Sequence, residues 1–445
     1  MKKLFLPVDN SPLIIFRIFF GFLLAAETFG AILTGWVRDN FIKPKFTFSH
    51  IGMEWLQPLP GDGMYYYFAT MGVLGILVML GWKYKWSLSA FTVLWTLTYW
   101  MQKTSYNNHY YMLVLVCLIM IFLPANRYAS LDARQNPEIK SLTMPKWCSL
   151  VMIAQVAIVY FFATVSKFYP DWLDGTFTKN LLAHKSENPF IQEIFHQKWF
   201  YLFIAYSGIL FDMLIVPMLL WRKTRTIAFI ASLIFHLFNA ITLQIGIFPF
   251  FALSFAVFFY PPEKIRALFF KKKPKPEGNE PIYQNKSVLL YFFIPYFLIQ
   301  IALPVRHWFI KGDVLWTEEA HRLSWRMMLR SRTGYSTFKV IDKKTGERLP
   351  YSLYSSLTDK QIAMVADKPD AIWQMAQRIK KVFAKHGKDV SVFVDCHVSI
   401  NGRPYRQLID PTVDMAAAKW DYFGHNDWIL LYDEDNKPTN QSSSN

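Results

Sequence analysis

The side chains most able to do chemistry in this sequence are ionisable and amide groups set inside apolar stretches. Lys167 closes the run Val159–Lys167 (VYFFATVSK), and Pro170 stops that helix within a few residues. Two roles are open to it. A lysine at a helix end can snorkel to the membrane interface. Held at the mouth of an apolar cavity, where desolvation favours the neutral amine, it can serve as a general base. Asp171 lies past the proline, so no ion pair between the two is assumed. His236 and Asn239 stand at i and i+3 and share one helix face, with Gln244 following near the end of that run. A single histidine at such depth is often a satisfied helix contact. The segment Lys103–Tyr111 (KTSYNNHYY) leads a further apolar run with a dense set of polar groups. It reads either as an interfacial belt or, through Asn108 and His109, as a site that orients a polar reactant. Arg17 and Glu27 lie in the first apolar run, about 15 Å apart along a helix axis, too far to pair directly. Interhelical hydrogen bonding that orients a bundle is the expected use of both.

The elements that must position these groups read as membrane spans. The 445 residues are 53% hydrophobic and 18% aromatic, richer in both than an ordinary soluble chain. Nine runs approach bilayer length: Leu13–Thr34, Met64–Trp82, Trp86–Met101, His109–Leu123, Cys148–Lys167, Trp199–Trp221, Ile227–Leu243, Ile247–Tyr260 and Val288–Trp308. Lys and Arg gather in alternate connections: Lys2/Lys3, Lys83/Lys85, Arg127–Lys146, Arg222–Arg225 and Lys264–Lys275. That alternation places the N-terminus and these segments in the cytoplasm, and everything after His307 outside it. The formal charge of +16 is explained by this retention, so a nucleic-acid partner is not expected. Lys2 and Lys3 precede a long run containing Arg17 and Glu27, which reads as an uncleaved first helix rather than a signal peptide. Three cysteines, Cys117, Cys148 and Cys396, form neither a disulfide framework nor a CxxC site. No metal-ligand spacing, P-loop or dinucleotide motif appears.

From about Lys311 the pattern becomes that of a folded soluble domain. Phe338–Ile341 and Arg348–Ser352 flank a turn, Thr358–His386 reads as one or two amphipathic helices capped by Thr358, and Val390–Val398 and Tyr405–Ile409 flank Asn401-Gly402. The expected architecture is an all-α membrane bundle of about nine spans (1–310), an extracytoplasmic α+β, β-rich domain (311–436) and a disordered tail (437–445). By this topology His109, Lys167 and His236 fall in the outer half of the bundle, where three spans can deliver them to one cavity.

Over nearly the whole chain, in order, the residues resemble the vitamin K-dependent gamma-glutamyl carboxylases and their bacterial relatives. The likeness runs through Phe16–Phe22, Pro58–Pro60, Thr104–His109, Tyr160–Lys167 with Asp171-Trp172, Phe235-His236, Ser324–Met328 with Ser331-Arg332, Val398–Asn401 and Asp410–Asp414. The resemblance implies a membrane lyase/carboxylase that oxidises reduced vitamin K, a naphthohydroquinone, with O2 to the epoxide. The base formed on the way removes a γ-proton from glutamate, and the carbanion takes up CO2. It implies that Lys167 deprotonates the hydroquinone and that His109 hydrogen-bonds the reacting oxygen, with Asn108, His236 and Asn239 against the cofactor. A glutamate-containing peptide or protein and the lipid bilayer are the implied partners, in a bacterial-type cell membrane. Ser166 stands where animal members tend to carry a second lysine, and the chain stops soon after Asp414 whereas theirs continue. Quinol oxidation is therefore the half of the activity that the residues support best. The alternatives are a quinol epoxidase that carboxylates no protein, and a transporter; for the latter the expected internal repeat is absent from the sequence.

Overall fold

The computed structural model describes residues 2–183, 189–243, 246–276, 285–327 and 329–432. Gln244, Met328 and the expected tail Lys437–Asn445 lie outside the described residues. Every predicted apolar run folds as helix: α1 (Ser11–Leu33), α2 (Gly63–Leu80), α3 (Tyr84–Met101), α4 (Asn108–Phe122), α5 (Trp147–Val165), α6 (Lys198–Leu220), α7 (Arg225–Leu243) and α8 (Phe248–Ser254), the last continued by a 3-10 turn. A short helix α9 (Pro262–Phe269) and the long α10 (Lys286–Phe309) complete the bundle.

The expectation of nine spans is corrected by length and composition. Among the described residues five helices are long and apolar enough to cross a membrane: α1, α2, α5, α6 and α10. Several spans of this kind make the chain a multi-pass membrane protein. The 15 residues of α4 rise only about 22 Å against roughly 30 Å of hydrocarbon, and α8 is shorter still. In α3 the length suffices, but Lys85 and the Ser, Thr, Tyr and Trp residues dilute its hydropathy. Most of α4 is buried inside the bundle. The closest pairing is that of α1 with α2, whose backbones meet through small residues. A Cβ on Gly75 would lie 2.6 Å from the Ala25 nitrogen, and one on Gly21 would strike the Met79 backbone. Arg17, fully buried, donates to the Ala125 and Ala129 carbonyls at 3.0 and 2.6 Å, and the Tyr110 hydroxyl donates to Glu27 at 2.8 Å. Glu27 thus serves the interhelical role expected of it, whereas Arg17 ties α1 to the connection that follows α4.

The basic connections share one end of the bundle. Strand β1 (Pro7–Asp9) pairs antiparallel with β2 (Thr143–Pro145), Lys273 donates to Asp9 at 2.5 Å, and the Lys83 nitrogen donates to Asp132 at 2.7 Å. The β-rich domain occupies the other end. Its sheet has the order β4-β3-β5-β6, built from β3 (Arg332–Asp342), β4 (Arg348–Leu349), β5 (Val390–Ile400) and β6 (Arg406–Ile409). The turn after β5 uses Asn401 at φ 53° and Gly402 at φ 80°, the left-handed pair that the Asn-Gly signal demands. Helices α11 (Asp359–Asp367) and α12 (Pro369–Ala384) cover one face, and Thr358 and Gln361 form a capping box. Phe46 and Phe48, from the loop after α1, are buried in this domain's core, so the domain is built partly from the N-terminal region.

Candidate functional site

Where α5 ends, its last turn delivers Lys167 into an apolar cavity of about 250 Å³ enclosed by α5, α6, α7 and α8. Aromatic and aliphatic side chains line most of it, among them Phe235, Phe238, Phe248, Phe255 and Met112. The polar groups are few and convergent. Lys167 Nζ stands 2.5 Å from the Asp212 carboxylate, 3.2 Å from the Ala163 carbonyl and 5.4 Å from the centre of the Trp172 ring. Both members of the pair are buried. Asp212, in the middle of α6, is the partner that reading Lys167 against its nearest neighbours overlooked. The signal was present, because a carboxylate inside the run Trp199–Trp221 needs a partner at membrane depth.

One helix away, His236 Nε2 meets the Tyr160 hydroxyl at 3.1 Å. Its other ring nitrogen is buried with no partner among the described residues. If Tyr160 donates to Nε2, Nδ1 carries the proton and offers a donor to whatever fills the cavity. Asn239, one turn further along, lines the same cavity, as their shared helix face requires.

His109 and Asn108 lie at its edge. The His109 ring packs 5.2 Å from Phe248, whose ring is 6.3 Å from His236, so Phe248 stands between the two imidazoles. Asn108 donates to the Arg326 carbonyl at 3.1 Å and accepts from the Tyr106 hydroxyl at 3.1 Å. It thus holds the loop that contributes Met327 to the cavity wall. Of the five predicted residues, Lys167, His236 and Asn239 line the cavity, His109 abuts it through Phe248, and Asn108 acts on its wall.

Comparison with known proteins bears on what this arrangement is. The family model described as HTTM domain matches residues 5–263, and that described as vitamin K-dependent gamma-carboxylase, lumenal domain, matches residues 285–435. The chain belongs to the vitamin K-dependent gamma-carboxylase family. No solved structure matches it. The first match covers the bundle up to α9, and the second covers its last long helix, α10, together with the β-rich domain; the segments that carry the family likeness meet at the junction of the bundle and that domain. Asn401 donates to Asp171 at 2.7 Å and accepts from the Ser331 nitrogen at 2.9 Å, and Arg403 reaches Asp171 at 2.5 Å. Lys103 and Arg322 both bind Asp370, at 2.6 and 2.5 Å. Burial alone raises the Asp370 carboxyl, but Arg322 and Lys103 outweigh it and hold it well below the ordinary range.

Proposed function

We propose that this chain oxidises a reduced naphthoquinone of the vitamin K type with O2 and couples that oxidation to carboxylation of glutamate. The carrying observation is a lysine–aspartate pair facing a largely apolar cavity. The cavity lies just below the roughly 300–1,000 Å³ usual for small-molecule pockets. Its aromatic lining suits a fused ring, and His236 supplies a polar atom without a partner among the described residues. When bound, the hydroquinone with O2 yields epoxide and water, while a glutamate γ-proton is exchanged for CO2.

The chain's own residues have defined tasks in this scheme. Lys167 takes the hydroxyl proton. A neutral amine is needed for that, and Asp212 at 2.5 Å both orients the amine and holds the proton the lysine gives up. Tyr160 fixes the His236 ring, and His236 with Asn239 orients the ring system. His109 reaches a reacting oxygen when the Phe248 ring turns aside, and Asn108 positions the Met327 wall. The bundle comprises 1–310 and the outer domain 311–436, with the N-terminus cytoplasmic in a bacterial-type cell membrane. A reporter fused after Asn445 is then active only outside the cytoplasm and one near Lys273 only inside.

The deciding assay gives detergent-purified protein reduced vitamin K, O2, labelled bicarbonate and a glutamate peptide. Epoxide with fixed label supports the whole reading. Epoxide alone removes the carboxylation half and leaves a quinol epoxidase. Neither product defeats the proposal.

A further inference from the structure

At the end of the bundle that carries the basic connections, α1, the last turn of α2 and the connection after α4 enclose a pocket of about 650 Å³. Ile18, Met79, Leu80 and Leu131 give it apolar walls, and the exposed side chains of Arg134 and Lys140 complete its lining. We propose that this pocket holds one anionic phospholipid, with its phosphate on Arg134 and Lys140 and an acyl chain running along α2.

The charges around the pocket favour an anion. Three other basic side chains of this end are already engaged. Lys273 and Arg266 share Asp9, at 2.5 and 3.2 Å, and Arg17 is spent on the Ala125 and Ala129 carbonyls. Neither Arg134 nor Lys140 forms an ion pair among the described residues. The acids of the same connection are Asp132 and Glu138, and neither lines the pocket. Asp132 accepts from the Lys83 and Tyr84 nitrogens at 2.7 and 3.0 Å and from the Asn126 side chain at 2.7 Å. Glu138 is exposed on the turn Pro137–Ile139. An anion in the pocket therefore meets two cations and no lining carboxylate.

The apolar part of the site says what carries that anion. Val73, Ile76 and Leu80 are all exposed and, at i, i+3 and i+7, share one face of α2. Because α2 is long and apolar enough to cross a membrane, this stripe leads from the pocket into the hydrocarbon. A soluble anion gains nothing from the apolar walls or the stripe, whereas a phospholipid uses both. A zwitterionic head would bring an ammonium beside Arg134 and Lys140, where no lining carboxylate receives it. Basic pockets beside spans at the cytoplasmic face suit anionic heads, and the topology proposed above puts this end of the bundle there.

The test titrates phosphatidylglycerol, or phosphatidylcholine with the same chains, into the delipidated full chain in detergent and counts bound lipids by native mass spectrometry. One saturable phosphatidylglycerol is expected, bound about tenfold or more tightly than phosphatidylcholine. A cation near an anionic head contributes about fivefold, so Arg134→Gln with Lys140→Gln should weaken it about 25-fold. Arg222→Gln with Lys223→Gln, equally exposed in another basic connection, should leave it unchanged. Since the lipid binds the folded chain, it should also raise the unfolding midpoint of wild type but not that of the Arg134/Lys140 variant. Equal affinity for the two lipids, unchanged binding in the Arg134/Lys140 variant, or the same loss in the Arg222/Lys223 variant overturns the proposal. Displacement by glycerol phosphate, the head without its chains, overturns it too, because the site would then be one for a soluble anion.

Discussion

Of the buried lysine–aspartate pairs among the described residues, one lies in the bundle and another at the junction of the two domains, and these two differ in everything but their chemistry. Lys103 and Asp370 are enclosed, and Arg322 completes a triad in which the carboxylate meets two cations. Lys167 and Asp212 form a lone pair on the wall of a cavity, with a backbone carbonyl and an indole face as their other company. A buried ion pair with no opening holds parts together. A pair that faces space lined by apolar groups keeps a proton where a ligand can take or give it. Surroundings, rather than the pair itself, separate structural from chemical charge.

The sharpest way to break this comparison is to keep the charge and remove the base. Lys167→Arg preserves a cation for Asp212, but guanidinium stays protonated at any usable pH. Quinol oxidation should fall by about 10²–10⁴-fold, the usual contribution of a general base, while the melting temperature in detergent stays close to wild type. Lys167→Ala should lose as much and regain part of it with a small exogenous amine or at high pH. A loss of less than about tenfold in Lys167→Arg would return the lysine to a snorkelling role.

At the junction the order of effects is reversed. Asp370→Asn leaves Lys103 and Arg322 buried with no counter-charge, which costs about 3–5 kcal/mol and should appear as a lower unfolding midpoint. The pH dependence has a fixed sign. A carboxyl held below its ordinary value of 3.8 stabilises the fold above that pH and loses its contribution as pH falls through the folded value. Acid should therefore narrow the gap between wild type and Asp370→Asn, in a melting series from neutral pH to below pH 4. A gap that widens in acid would contradict the triad.

Much of this was legible in residue order, and the rest failed for particular physical reasons. The Asn401-Gly402 turn, the Thr358 cap and the shared face of His236 and Asn239 are local, so spacing alone specifies them. The nine apolar runs are all helices, yet hydropathy does not say which are too short to cross. Asp212 was overlooked because its meaning depends on a distant partner, Lys167 at 2.5 Å. Family likeness named Asn108 and His109, whereas their contacts with the Arg326 carbonyl and Phe248 depend on a fold that brings together residues more than a hundred positions apart.

The smallest effect concerns the second polar pair in the cavity and tests whether the ligand completes it. Tyr160 and His236 meet at 3.1 Å, and the far nitrogen of the imidazole has no partner among the described residues. Tyr160→Phe removes one hydrogen bond and frees the ring to rotate or change tautomer, so His236 presents its donor to the ligand only part of the time. A hydrogen bond of this kind is worth about 0.5–1.5 kcal/mol, or roughly 2- to 13-fold. That loss should appear mainly in the KM for the reduced quinone, with kcat changed less, because Lys167 and Asp212 are untouched. His236→Phe should give a larger rise in KM, since it removes the donor itself while keeping the aromatic packing against Phe211 and Phe248. The two substitutions act on one interaction, so the double variant should resemble His236→Phe alone rather than the product of both. Additive losses would mean that Tyr160 touches the quinone directly, and an unchanged KM in His236→Phe would mean that the imidazole serves only the packing of α7.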